Sequence, residues 1–247
     1  MISSLHKKIT SITKLAELIF FPSFCELCSS LLELPEEKII CQSCWERMIP
    51  FTGSHCLCCG RFFEAGVEPH LCQDCVQKRP PFSCHRSYGR YRGQLKDAIL
   101  LYKYRRFQIL GRDFARIIHR ALGKDEDIWW KADFIVPVPL HPKRQKKRGF
   151  NQAQVIAQEL AKLKGVEVAD DVLAKVKNTP PQTCLELEER AENVSDAFSA
   201  VNKRKIRRKV VILVDDVFTT GSTLNECSSV LKKSGVGEVR ALTLAQA

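Results

Sequence analysis

The sequence predicts an α/β fold, a parallel sheet with helices on both faces, preceded by a small amino-terminal module held together by cysteines. Three observations carry that prediction. Apolar strand-like runs alternate with helical spacings from about residue 82 onward. Eight of the 12 cysteines fall into a repeated spacing in the first third of the chain. The basic excess lies in the middle third, where residues 76–150 carry 19 Lys and Arg against 6 acids within a net charge of +11 for the whole chain. A chain of 247 residues accommodates one sizeable α/β core and a smaller module, here expected over 81–247 and 1–80.

The first element is a short amphipathic helix, with Ile9, Ile12, Leu15, Ala16 and Ile19 on one side. Lys14 and Glu17 interrupt the apolar part of "MISSLHKKITSITKLAELIFFPSFC", which leaves no uncharged core and no small-residue cleavage site for a signal peptide. No run approaches the roughly 20 apolar residues of a membrane helix, so no transmembrane segment is expected and the protein is expected in the cytoplasm.

Next come the cysteines. Cys25, Cys28, Cys41 and Cys44 form C-x2-C-x12-C-x2-C, and Cys56, Cys59, Cys72 and Cys75 repeat it 31 positions later. Thiolates two residues apart reach one metal, and two such pairs complete an all-sulfur tetrahedron suited to Zn²⁺. Two structural zinc ions are therefore expected, with no open position for catalysis. The spacing leaves open whether neighbouring pairs or crossed pairs share a metal. A disulfide framework is the alternative, and the lack of a secretion signal argues against it. Cys58, Cys84, Cys184 and Cys227 stand outside the repeat and read as buried small apolar residues.

The α/β elements follow in order. "QLKDAILLYKYRRF" and "GRDFARIIHRAL" predict helices, "DFIVPVPL" a buried strand, and "NQAQVIAQELAKL" a helix on the spacing of Val155, Ile156, Leu160 and Leu163. After a variable stretch, "KVVILV" predicts a strand, the segment from about Thr223 to Lys233 a helix, and "EVRALTLA" a last strand. In such folds ligands sit at the carboxyl ends of the strands.

One strand end is unusual. In "LVDDVFTTGST" (213–223), a strand over Val210 to Val214 is expected to release the chain through Asp215 and Asp216 into a turn over Val217 to Ser222, before a helix near Thr223. Small residues let backbone amides converge, and with the hydroxyls of Thr219, Thr220, Ser222 and Thr223 and the positive helix end they form a cradle for a phosphate ester. Two carboxylates beside it can accept hydrogen bonds from the vicinal hydroxyls of a ribose. Phosphate and ribose together describe a ribose 5-phosphate group. The basic runs "KRQKKR" (143–148) and "KRKIRRK" (203–209) read either as solvated surface or as seats for polyanions.

The 13 positions from Val211 to Thr223 resemble the signature of phosphoribosyltransferases. With the cysteine pairs, "LYKYRRF" (101–107), "VPVPLHPKRQKKRGFNQA" (136–153) and the spaced set Gln182, Arg190, Asn193 and Phe198, the chain resembles the ComF family from about Phe21 to Ala245. That family joins a double zinc ribbon to a type I phosphoribosyltransferase-like domain. The resemblance implies phosphoribosyl pyrophosphate with Mg²⁺ as ligand, held by Val138, Pro139, Asp215, Asp216, Thr219, Thr220, Gly221, Ser222 and Thr223. It implies a diphosphate loop around Val138, Pro139 and Leu140, and a mobile loop from Lys143 to Arg148. Asp215 and Asp216 would act at the reacting ribose, with Lys103 and Arg148 on the diphosphate.

Family members are implicated in natural transformation, which implies single-stranded DNA and other DNA-uptake proteins as partners. No base-specific hood is identifiable in the sequence. A phosphoribosyltransferase with an unusual acceptor, acting in DNA uptake or nucleotide metabolism, and a single-strand-binding component with a vestigial or regulatory pocket both fit these residues.

Overall fold

The computed structural model describes residues 22–33, 37–178 and 196–247. The expected amino-terminal helix, and Cys184, Gln182, Arg190 and Asn193, lie outside the described residues. The chain forms two compact units, Met1–Ile49 and Pro50–Ala247.

Among its described residues, the first unit holds an antiparallel bridge between Phe24 and Leu31 and the short helix α1 (Gln42–Glu46), which begins directly after Cys41. The second unit opens with the same arrangement 31 residues on: a bridge between His55 and Phe62, and α2 (Gln73–Gln77) directly after Cys72. The repeat extends to the backbone. Ser29 and Gly60 occupy equivalent positions, and both have positive φ, 59° and 68°. Glycine is required at the second, because a Cβ there would come within 2.4 Å of the His85 carbonyl oxygen.

The strands of the second unit are β1 (His85–Arg90), β2 (Phe134–Pro137), β3 (Glu167–Val168), β4 (Leu173–Lys175), β5 (Phe198–Ala200), β6 (Val210–Phe218) and β7 (Glu238–Gln246). Five form a parallel sheet in the order β1-β7-β6-β2-β3, and β4 and β5 make a separate antiparallel pair. The helices are α3 (Gly93–Tyr104), α4 (Leu110–Leu122), α5 (Glu126–Trp129), α6 (Pro142–Arg148), α7 (Gln152–Lys164), α8 (Lys203–Ile206) and α9 (Ser222–Lys233).

Alternation along β6 sends Val211 and Leu213 into one core with Leu224, Cys227 and Leu231 of α9. Ile212 and Val214, on the opposite pleat, are also fully buried, and α7 packs on β2 and β6. The parallel sheet with flanking helices is the architecture that the sequence predicts.

Three details differ from expectation. First, β6 does not end at Val214. It runs on through both aspartates, because β7 extends equally far and pairs Asp215 with Thr243, Val217 with Ala245 and Phe218 with Gln246. The turn therefore shrinks to Thr219–Gly221, and α9 starts at Ser222. Second, residues 143–148 are helical. Pro142 fills the first helical turn, His141 accepts a hydrogen bond from the Lys143 amide, and Gly149 closes the helix at φ 89°. Third, β1 has no apolar run to announce it. Its buried His85, Arg86 and Ser87 are satisfied instead by polar partners: Arg86 by Asp125 and Asp127, and Ser87 by Thr243.

Candidate functional site

The two cysteine sets are each gathered to a point. Within Cys25, Cys28, Cys41 and Cys44, and within Cys56, Cys59, Cys72 and Cys75, all sulfurs lie within 4.8 Å of one another. Neighbouring pairs, not crossed pairs, form each cluster. Sulfur separations of 3.9 Å (Cys25 and Cys44), 3.5 Å (Cys28 and Cys41) and 3.6 Å (Cys59 and Cys72) match the edge of about 3.8 Å that Zn–S bonds of about 2.3 Å impose on a tetrahedron. Backbone amides complete the environment: Cys41 N–H donates to Cys25 Sγ, and Cys72 N–H to Cys56 Sγ. Cys58, Cys84 and Cys227 are buried and outside both clusters.

The second site is built at the carboxyl end of β6. Asp215 and Asp216 stand on its last turns of pleat, where pairing with β7 fixes their backbone. Asp215 accepts a hydrogen bond from the Asp216 amide at 2.8 Å. Lys103 Nζ lies 2.8 Å from Asp216 Oδ1, with both side chains less than 15% exposed. Packing one residue earlier aims that lysine. Tyr102 is fully buried, donates its hydroxyl to the Gln152 carbonyl at 3.0 Å, and meets Phe114 and Phe150 with ring centroids 5.3 and 5.2 Å away. Gly111 makes room for it, since a Cβ there would sit 2.4 Å from the Tyr102 hydroxyl.

Burial, and then the charge of Asp216, push the Asp215 carboxyl up to about 7, against the pull of Lys103 and Lys175. Lys175, on β4, was not legible as a site residue in the sequence. Its ammonium lies 5.1 Å from the Phe198 ring centroid, and burial, with Arg144 and Arg148 beside it, holds it below the ordinary lysine range.

Thr219, Thr220 and Gly221 form the turn. Gly221 has φ 78°, Thr220 Oγ1 lies 2.7 Å from Ser222 Oγ, and Asn225 N–H donates to the Gly221 carbonyl, which closes the first turn of α9. The half-buried hydroxyls of Thr219, Thr220, Ser222 and Thr223 surround this turn. A cleft of about 1190 Å³ opens from Thr219, Thr220 and Ser222 toward Arg61, Lys78 and Arg79 of the second ribbon. Asp215, Asp216 and Lys103 are not among its walls.

Across β2, Val138 is buried, and both its backbone groups are engaged: its N–H donates to Val214 O at 2.9 Å, and its carbonyl accepts from Asn151 Nδ2 at 3.0 Å. Pro139 and Leu140 follow it, half-exposed. Arg148 donates to Gln152 Oε1 at 3.0 Å and lies 5.7 Å from the Tyr104 ring centroid, one residue along the helix from Lys103.

Known proteins share this plan. The family described as Phosphoribosyl transferase domain matches residues 104–247, and that described as Double zinc ribbon domain matches 17–76. Competence protein F of Haemophilus influenzae is 37% identical over 162 residues, 64% of this chain and 71% of that protein. The chain belongs to the ComF family. Another ComF relative, the DNA utilization protein YhgH of Salmonella typhi, is 34% identical over 108 residues, 44% of this chain and about half (47%) of its own length. Among solved structures, a glutamine phosphoribosylpyrophosphate amidotransferase from B. subtilis aligns with 21% identity and a TM-score of 0.35, over 55% of the ComF chain and 25% of its own. The double ribbon and its two four-cysteine clusters support structural zinc in this ComF chain. No described helix is long and apolar enough to cross a membrane.

Proposed function

We propose that the chain binds phosphoribosyl pyrophosphate with Mg²⁺ at the end of β6 and acts in DNA uptake. The observation that carries this reading is the pairing of an acidic diad with a phosphate-sized turn on consecutive residues: Asp215 and Asp216 on the strand, and Thr219 to Ser222 around a left-handed Gly221 at the start of α9. The turn supplies converging amides and hydroxyls for the 5-phosphate. The diad supplies acceptors for the ribose hydroxyls. Pro139 and Leu140, which follow β2, would meet the diphosphate, and Lys175, with Arg148 beside it, would bring positive charge to it. A bound Mg²⁺ would neutralise diphosphate charge, and these cations would share that work as pyrophosphate departs. The names of the relatives, competence and DNA utilization proteins, support the cellular role.

Calorimetric titration with phosphoribosyl pyrophosphate and Mg²⁺ tests the ligand. Asp215→Asn with Asp216→Asn removes two charge-assisted hydrogen bonds, each worth about 1.5 to 3 kcal/mol, so the dissociation constant is expected to rise about a hundredfold or more while the fold persists. Unchanged affinity in the double variant would take the diad out of the site.

Single-stranded DNA as a ligand is the second reading, favoured by the form of the basic run. Lys143, Lys146 and Lys147 are exposed and share one face of α6, whereas Arg144 and Arg148 are half-buried. If each exposed lysine meets one phosphate, replacing the three with Ala flattens the plot of log affinity against log salt by about 2 units. A single-strand affinity whose salt slope survives the triple substitution would remove α6 from the DNA surface.

A further inference from the structure

The buried histidine at the head of β1 belongs neither to the metal clusters nor to the acidic diad, yet it touches structures on both sides. His85 is fully buried. Its backbone N–H donates to the Cys58 carbonyl at 2.8 Å, and its ring Nδ1 lies 2.8 Å from the Cys59 carbonyl. A carbonyl can only accept, so Nδ1 donates to it, and Nε2 lies 2.9 Å from Thr243 Oγ1.

The ring is thus fixed at both nitrogens. Its face stacks on Phe218, with centroids 4.3 Å apart and planes 20° from parallel. Phe218 is the last residue of β6, and the phosphate turn folds directly over its ring: a Cβ on Gly221 would meet Phe218 Cζ at 2.8 Å. The knuckle of the second cluster is pressed equally close to the histidine at Gly60.

We propose that His85 is a positioning residue that fastens the phosphate-binding turn to the knuckle of the second cysteine cluster, with Phe218 as the intermediate plate. Cys59, as one of the four residues that would hold a metal there, would keep its carbonyl in place. The carbonyl orients the imidazole, the imidazole sets the Phe218 ring, and the ring supports the backbone from Thr219 to Gly221. The second ribbon then serves the ligand site as a brace for one subsite, the cradle of the 5-phosphate. The diphosphate subsite across β2 does not share this support.

The inference rests on the phosphoribosyl reading of the site, and the test separates the two. Zinc-loaded full-length protein is titrated with ribose 5-phosphate and, separately, with magnesium pyrophosphate. In His85→Gln, which can still donate toward the Cys59 carbonyl and cannot stack, ribose 5-phosphate is expected to bind about tenfold more weakly, and pyrophosphate within twofold of wild type. Phe218→Leu, at a half-buried site that tolerates a smaller apolar residue, is expected to give the same split and decides the matter if His85→Gln does not fold. Equal losses for both ligands, or no loss for either, overturn the positioning role while leaving the phosphoribosyl reading intact. Wild-type protein that binds neither ligand overturns that reading and this inference with it.

Discussion

Asp215→Asn is expected to make the unit Pro50–Ala247 more stable at pH 8 while weakening the proposed phosphoribosyl pyrophosphate binding about tenfold. The folded protein raises this carboxyl from 3.8 to about 7, net of the attraction of Lys103 and Lys175. Between those two values the folded state holds a proton that the unfolded chain has released. Stability therefore falls as pH rises through this window, and the deficit is complete above pH 7. The full shift corresponds to about 4 kcal/mol at 1.36 kcal/mol per unit, and solvent access at the mouth of the site reduces it to about 2 kcal/mol.

Asparagine does not titrate and still accepts the Asp216 amide, so the variant escapes the deficit. Its melting temperature should exceed the wild-type value by about 4 to 8 °C at pH 8, and the gap should close toward pH 4. Melting curves at pH 5 and pH 8 check this, and a variant no more stable than wild type at pH 8 contradicts it. A stabilising substitution that damages ligand binding is the expected mark of a site kept strained for its function.

The two cysteine clusters are expected to differ in reach. Cys41→Ser acts on the unit Met1–Ile49, to which the first cluster belongs. Cys72→Ser acts on the unit that contains the sheet, because the second knuckle is hydrogen-bonded to His85 through both the Cys58 and Cys59 carbonyls, and Phe51 N–H donates to Tyr88 O on the same strand. Structural zinc contributes on the order of 10 kcal/mol to the fold around it, so loss of several kcal/mol from this unit is expected to lower the main unfolding transition by about 10 °C or more. Circular dichroism melts of the two variants, with zinc content measured in each, make the comparison. A main transition displaced as far by Cys41→Ser as by Cys72→Ser would contradict the assignment of the second ribbon to the sheet's own unit.

What the sequence disclosed follows from how local its signals are. The cysteine repeat is a matter of spacing, and the grouping of Cys25 with Cys44 needed only coordinates to choose between neighbouring and crossed pairs. The buried strand Val210–Val214 and the helices around Ile156 and Ile118 rest on apolar periodicity, which a parallel sheet enforces. β1 escaped because its buried residues are polar, and their partners lie about 40 residues away at Asp125 and Asp127 and more than 150 away at Thr243. The extension of β6 to Phe218 is dictated by β7, so nothing within "DDVFTTG" could reveal it. Lys175 is close to Asp215 only because an antiparallel pair, β4 and β5, carries it there. Pro142 and Gly149, by contrast, are ordinary helix punctuation, and α6 could have been read from them.

The proposed phosphoribosyl pyrophosphate site, built from Asp215, Asp216 and the turn after Phe218, stands or falls on one calorimetric titration of the zinc-loaded full-length protein with that ligand and Mg²⁺. A single saturable site per chain is predicted, tighter at pH 8 than at pH 6, because the ionised Asp215 carboxylate accepts from the ribose hydroxyls more strongly than the protonated carboxyl does. No saturable heat with folded protein at either pH, or binding that the double Asn variant retains in full, would contradict it.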